Sequence, residues 1–130
     1  MGKTHLSLAI LNVAINRGYY VCYGTSQNIC DDLQSEQFGR VDDLTYTKNQ
    51  VLGCDLLVLD DLGTEIDNQY SIATLYNIIN SRLLSGKPTV ISTNYTMNKL
   101  EEKYDKRITS RLTGEYTPFY FIGNDIRNLK

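Results

Sequence analysis

Three groups of residues in this sequence have types and spacing that could do chemistry. The first is Gly2-Lys3-Thr4, which matches the closing half of the phosphate-binding loop G-x-x-x-x-G-K-S/T. At the start of a helix, backbone N–H groups point toward an anion and the dipole adds about half a positive charge. A lysine there reaches the outer phosphates, and a threonine hydroxyl can sit on Mg²⁺. Such a triplet also recurs by chance, so its setting decides its meaning. The second group is Asp60-Asp61, at the end of the apolar run 56–59. In open parallel sheets, ligands bind beyond the carboxyl ends of the strands. Two acids at that rim could hold Mg²⁺ and orient or deprotonate an attacking water. They could equally cap a solvated turn before Gly63. The third group is Asn94, just past the run 89–93, with Arg107 and Arg111 further on. Asn94 either starts a turn or points a polar side chain at the same rim. The two arginines are one helical turn apart and share a face. They form either an exposed basic face or a cation donated to a neighbour's nucleotide.

The elements that must position these residues follow from periodicity. Leu6, Ala9, Ile10, Val13 and Ala14 recur at helical spacing, and Leu8, Leu11 and Ile15 cover a second face. A helix apolar on most sides is expected to be buried against a sheet, ending at Arg17-Gly18. Residues 19–23 are aromatic and β-branched and read as a strand. Thr25 or Ser26 caps a helix to about Phe38, with Ile29, Leu33 and Phe38 facing inward and Gly39 beyond. Residues 40–54 are polar, with one short helix or turn. The run 56–59 is a strand covered on both faces. Ile72, Leu75, Tyr76, Ile79 and Leu83 make a helical stripe that stops at Gly86-Lys87-Pro88. Residues 89–93 form the next strand. Helices follow from Thr96 to Tyr104 and from Asp105 or Lys106 to Leu112, ended by Gly114. Residues 117–122 are a last strand before a polar tail. This alternation means an α/β sandwich with a parallel sheet.

Bulk properties narrow the function classes. A chain of 130 residues is at most one domain. The net charge of −2 offers no basic footprint for nucleic acid. Cys22, Cys30 and Cys54 lack C-x-x-C spacing and read as reduced thiols of a cytosolic protein. With His5 the only histidine, a His/Cys metal site is not expected. No apolar run is long enough to span a membrane. The ten tyrosines fall mainly on strands and helix faces, where packing is the expected role.

Taken in order, Gly-Lys-Thr-His-Leu, Leu-Leu-Val-Leu-Asp-Asp-Leu-Gly, Ser-Thr-Asn and Arg-Ile-Thr-Ser-Arg-Leu resemble the motifs of AAA+ ATPases. The likeness is greatest to the DnaC/DnaI-type loaders of the bacterial replicative helicase, and IstB-type transposition helpers look similar. The resemblance implies a P-loop NTPase fold, ATP and Mg²⁺ as cofactors, and ATP hydrolysis. It also implies a cytoplasmic homo-oligomer built through the ATP interface, with a replicative helicase and single-stranded DNA as partners. Position by position, Gly2, Lys3, Thr4 and His5 match the end of Walker A. Asp60 and Asp61 match Walker B, with Thr4 and Asp60 as the Mg²⁺ side. Asn94 matches the sensor-1 residue that helps position the water. Arg111 matches the arginine finger acting in trans, Arg107 supports it, and Arg127 lies roughly where a second sensor would come.

Two departures from the family pattern stand out. Walker B reads Asp-Asp rather than Asp-Glu, and the shorter second acid suits slow, timed hydrolysis. The front of the phosphate loop, the strand that feeds it and a helicase-binding N-terminal domain are not in the sequence. Residues 1–130 are therefore expected to be one partial AAA+ domain, truncated at the N-terminus. A non-enzymatic interaction module is the alternative that a half loop leaves open.

Overall fold

The computed structural model describes residues 2–40, 44–64, 69–104 and 106–117, with residues 2–4 as backbone. Its elements are α1 (Gly2–Asn16), β1 (Val21–Thr25), α2 (Ser26–Gln37), α3 (Lys48–Gly53), β2 (Leu56–Asp60), α4 (Gln69–Leu84), β3 (Thr89–Ile91), α5 (Met97–Lys103) and α6 (Lys106–Glu115). The strands form a parallel sheet in the order β1-β2-β3. All five residues of β2 are buried, as an apolar strand flanked and covered on both faces requires.

Side-chain alternation splits the core in two. Leu56 and Val58 face α1 and meet Leu11, with Ile10, Ala14, Tyr23 and Val90 packed around them. Leu57 and Leu59 point the other way, into the larger core with Ile29 of α2, Leu75 and Ile79 of α4, and Ile108 of α6. Fully burying one such side chain contributes about 1.5–3 kcal/mol, so these two stripes hold β2 in place. Helix starts are set by hydroxyls. Thr25 accepts from the Asn28 N–H at 3.1 Å, Thr47 and Gln50 form a capping box, and Thr96 accepts from the Lys99 N–H at 3.2 Å.

Several expectations need correction. The first strand begins at Val21, and Tyr19 and Tyr20 are exposed before it. The Tyr19 N–H closes the end of α1 on the Ala14 carbonyl, and the Tyr20 N–H goes to Asp55 Oδ2. Neither group is left for the ladder. Phe38 faces outward, 60% exposed, as the C-cap of α2 with the Arg40 guanidinium over its ring. The two apolar faces of α1 are covered only in part: Leu11 of the second face is buried against the sheet, whereas Leu8 and Ile15 of that face and Val13 of the first are about half exposed, because the sheet takes one stripe of the helix. α6 runs through Gly114 to Glu115. Residues 118–122 of the last expected strand, and Arg127, lie outside the described residues.

One buried cation organises the end of the sheet where the strands begin. Arg82 of α4 is fully buried. Its guanidinium donates to the carbonyls of Val51, Leu52 and Cys54 at 3.0, 3.3 and 2.9 Å, to that of Pro88 at 2.8 Å, and to Thr89 Oγ1 at 2.8 Å. The C-terminal carbonyls of α3 and the entries to β2 and β3 are thereby tied to one side chain. The three cysteines are buried and form no disulfide. The neighbouring Cys22 thiol, and after it the Arg82 guanidinium, hold the Cys54 thiol below its ordinary range, against desolvation.

Candidate functional site

The site grows from the carboxyl end of β2. Register places Asp60 beside Thr25 of β1, and one step beyond the Leu59–Ile91 pair it lies beside Ser92. Alternation puts Asp60 on the same face as Leu56 and Val58, the face covered by α1. Asp60 is 3% exposed, and two hydroxyls serve its carboxylate. The Tyr23 hydroxyl donates to Oδ2 at 2.8 Å, and the Ser92 hydroxyl donates to Oδ1. Burial, and then the Asp60 carboxylate it bonds, push the Tyr23 hydroxyl up to about 12. It is therefore a neutral donor at physiological pH.

Asp61 is held by its backbone. Its φ of 54° is left-handed, a conformation that aspartate visits more readily than most residues. The Asp61 N–H donates to Ser92 Oγ at 3.1 Å, and its carbonyl accepts from Ser26 Oγ at 3.1 Å and Thr64 Oγ1 at 2.8 Å. The Leu62 N–H donates to the Ser92 carbonyl at 2.7 Å, and Thr93 Oγ1 donates to the Leu62 carbonyl at 2.6 Å. The loop after β2 and the loop after β3 are thus laced together.

The other half of the site is the start of α1. A four-residue connection joins α1 to β1, and α1 packs on β1 and β2. It therefore runs antiparallel to the strands. Its C-terminal turn lies where the strands begin, and its first turn, with Gly2, Lys3, Thr4 and His5, lies at the rim where β2 ends. Asp60 and Asp61 are at that same rim. His5 is exposed.

The remaining expected residues are placed as follows. Asn94 is exposed, two residues beyond Ser92. The contacts to the acids come from Ser92, which sequence reasoning did not single out. Its signal was parity, since 90, 92 and 94 share a face and 92 stands opposite Asp60. Tyr23 was missed for the same reason: residues 21, 23 and 25 line the face of Asp60. Arg107 is exposed and lies over the Tyr76 ring of its own chain at 4.8 Å. Arg111, one turn on, is half-buried.

The acids fit a Mg²⁺ ion bound together with a substrate. Among the described residues no group of three or more His, Cys, Asp or Glu could hold a metal by itself. Mg²⁺ is typically held by one or two carboxylates plus substrate phosphates and water, not by a protein cage. A single buried, oriented carboxylate at the rim where β2 ends suits that mode.

Known proteins share this fold. A family model described as IstB-like ATP binding protein matches residues 1–113. The replicative helicase loader DnaC of Escherichia coli (strain K12) is 27% identical over 111 residues, 85% of this chain and 45% of the loader. An ATP-binding protein of an insertion sequence in Mycobacterium tuberculosis is 28% identical over 101 residues, 75% of this chain and 38% of that protein. Among solved structures, AMPPCP-bound DnaA from Aquifex aeolicus superimposes with a TM-score of 0.79 at 26% identity, over 97% of this chain and 39% of that one. The DnaC helicase loader superimposes with a TM-score of 0.74 at 25% identity, over 89% and 70%. The fold is that of their AAA+ P-loop domains. The chain spans less than half the length of the curated relatives named here.

Proposed function

The chain belongs to the IstB-like ATP-binding protein family, and from that premise we propose that it binds and hydrolyses ATP to help place a replicative helicase on single-stranded DNA. The observation that supports this reading is the topology, in which α1 returns along β2 so that its start and the buried acid ending β2 fall at the same end of the sheet. The first turn of α1, with Gly2, Lys3, Thr4 and His5, cradles the phosphates with its backbone N–H groups, and Lys3 reaches the outer ones. Thr4 and Asp60 hold Mg²⁺, which when bound neutralises charge on the phosphates. Asp61 orients or deprotonates the attacking water, and Asn94 helps position it. A neighbouring subunit of a cytoplasmic homo-oligomer supplies Arg111. Arg107, occupied by Tyr76 within its own chain, is the supporting cation. Likeness to DnaC supports the helicase as client, and likeness to a DnaA bound to AMPPCP and single-stranded DNA supports that strand as the track.

A second reading keeps the ATPase and changes the client to a transposase. The family model and the insertion-sequence relative favour it. Lys3→Ala in the intact protein is expected to abolish binding of a fluorescent ATP analogue; unchanged binding ends both readings. Sustained phosphate release by the wild-type protein rejects a purely non-enzymatic module. Pull-down of a replicative helicase rather than a transposase then separates the two clients.

A further inference from the structure

We propose that Ser92 and Tyr23 are positioning residues of Asp60, and that Ser92 in addition locks the two acids to each other. This rests on the reading of Asp60 as the Mg²⁺-side carboxylate. Rotation of an aspartate carboxylate about its last torsion is soft and poorly fixed by packing alone. Here the two oxygens are held from opposite flanks, Oδ2 by Tyr23 of β1 and Oδ1 by Ser92 after β3. Two donors on different oxygens fix the plane of the carboxylate. Both donors are hydroxyls, so neither brings a positive charge that would compete with a cation for the carboxylate.

Ser92 does more than Tyr23. A hydroxyl has one proton to give and two lone pairs to receive. The Asp61 N–H can only donate, so it takes a lone pair of Ser92 Oγ. The serine proton is then directed to Asp60. One oxygen atom therefore contributes both to the orientation of Asp60, with Tyr23, and to the left-handed backbone of Asp61, with Ser26. The serine belongs to the segment that leads to Asn94. A movement of that segment is transmitted to both acids through a single hydroxyl. The Tyr23 hydroxyl bonds Asp60, whereas Ser92 Oγ bonds both Asp60 and the Asp61 N–H, so the two hydroxyls have different signatures when removed.

The test uses Ser92→Ala, Ser92→Thr and Tyr23→Phe in the intact protein. The first readout needs no nucleotide: amide hydrogen exchange at Asp61, followed by NMR. Exchange at Asp61 is expected to quicken about tenfold or more in Ser92→Ala, because its acceptor is gone. It is expected to stay within about twofold of wild type in Tyr23→Phe. The second readout is the Mg²⁺ concentration that half-saturates binding of a fluorescent ATP analogue. It should rise about tenfold in both Ser92→Ala and Tyr23→Phe, while binding without Mg²⁺ is unchanged. Ser92→Thr, which keeps the hydroxyl, should restore both readouts. Unchanged Asp61 exchange, or an unchanged Mg²⁺ midpoint in Ser92→Ala, overturns the inference. So does a Ser92→Thr variant as impaired as the alanine, since volume and not the hydroxyl would then be the cause. A wild-type protein that binds no nucleotide overturns the functional reading and this inference with it. Wild-type binding alongside an unaffected Ser92→Ala overturns this inference alone.

Discussion

Gly63 shows how tightly the acidic loop is specified at the level of one residue. Its φ is 106°, and a Cβ built on it would lie 2.6 Å from the Tyr95 ring. The ring therefore rests on the backbone three residues beyond the end of β2. Gly63→Ala must accept a strained backbone and also displace the ring, at a cost of about 1–3 kcal/mol. Urea unfolding should show this loss. Adding Tyr95→Ala should recover only the part due to contact, because the strain at φ stays. Full recovery would mean that the backbone conformation carries no cost. The acids before this glycine were legible in sequence because charge interrupts an apolar run there. What holds them was not. The Ser92 contact depends on which residue of β3 stands opposite Asp60, and no local pattern encodes that register. The left-handed backbone of Asp61 likewise follows from bonds to residues 26 and 92, far off in the chain.

At the scale of elements, Arg82 has the part that Ser92 plays at the opposite end of the strands. It binds the end of α3 to the entries of β2 and β3, so it fixes where both strands start. Because β2 and β3 are short, their start sets where Asp60 and Ser92 finish. Arg82→Met keeps the apolar stem but strips several buried carbonyls of their donor. Each unsatisfied buried group costs about 1–3 kcal/mol, so a net loss of about 3 kcal/mol or more is expected on chemical denaturation. That is a large fraction of a domain's stability, roughly 5–15 kcal/mol. A loss below about 1 kcal/mol would show that water or a rearranged α3 serves the carbonyls instead. The helices themselves were well marked in the sequence, since hydroxyl caps and terminal glycines are local chemistry. Strand edges and helix faces were less so. Tyr19, Tyr20 and Phe38 have strong strand or core preferences, yet capping bonds and the limits of the sheet place them outside. Arg82 was hidden in plain view: it follows Leu75 and Ile78 on the inward stripe of α4, where a cation is unexpected without a ring of carbonyls to receive it.

For the molecule as a whole, the parallel order β1-β2-β3 with α1 on one face gathers the start of the first helix and the end of β2 at one rim. On the proposed function that rim takes phosphate, metal and water, with positive charge from the helix dipole of α1 and from Lys3. The two arginines of α6 stand on an element that packs on α4 and α5, on the far face of the sheet from α1. Charge that builds on the phosphates during hydrolysis is then best met by a second copy of the chain, and the two arginines differ in readiness. Arg107 is engaged with Tyr76, which makes Arg111 the side chain to test. Arg111→Ala should leave binding of an ATP analogue close to wild type and lower the turnover rate by about 10³–10⁵-fold. Mixing gives the decisive measurement. Subunits with Arg111→Ala keep an intact phosphate site, and subunits with Lys3→Ala keep an intact arginine. Each is inactive alone. In a random equimolar oligomer, about one interface in four joins a good site to a good arginine in a head-to-tail arrangement. Turnover should therefore return to about a quarter of the wild-type rate on mixing. If the mixture stays silent while both variants assemble and Arg111→Ala still binds ATP, the arginine does not act across the interface.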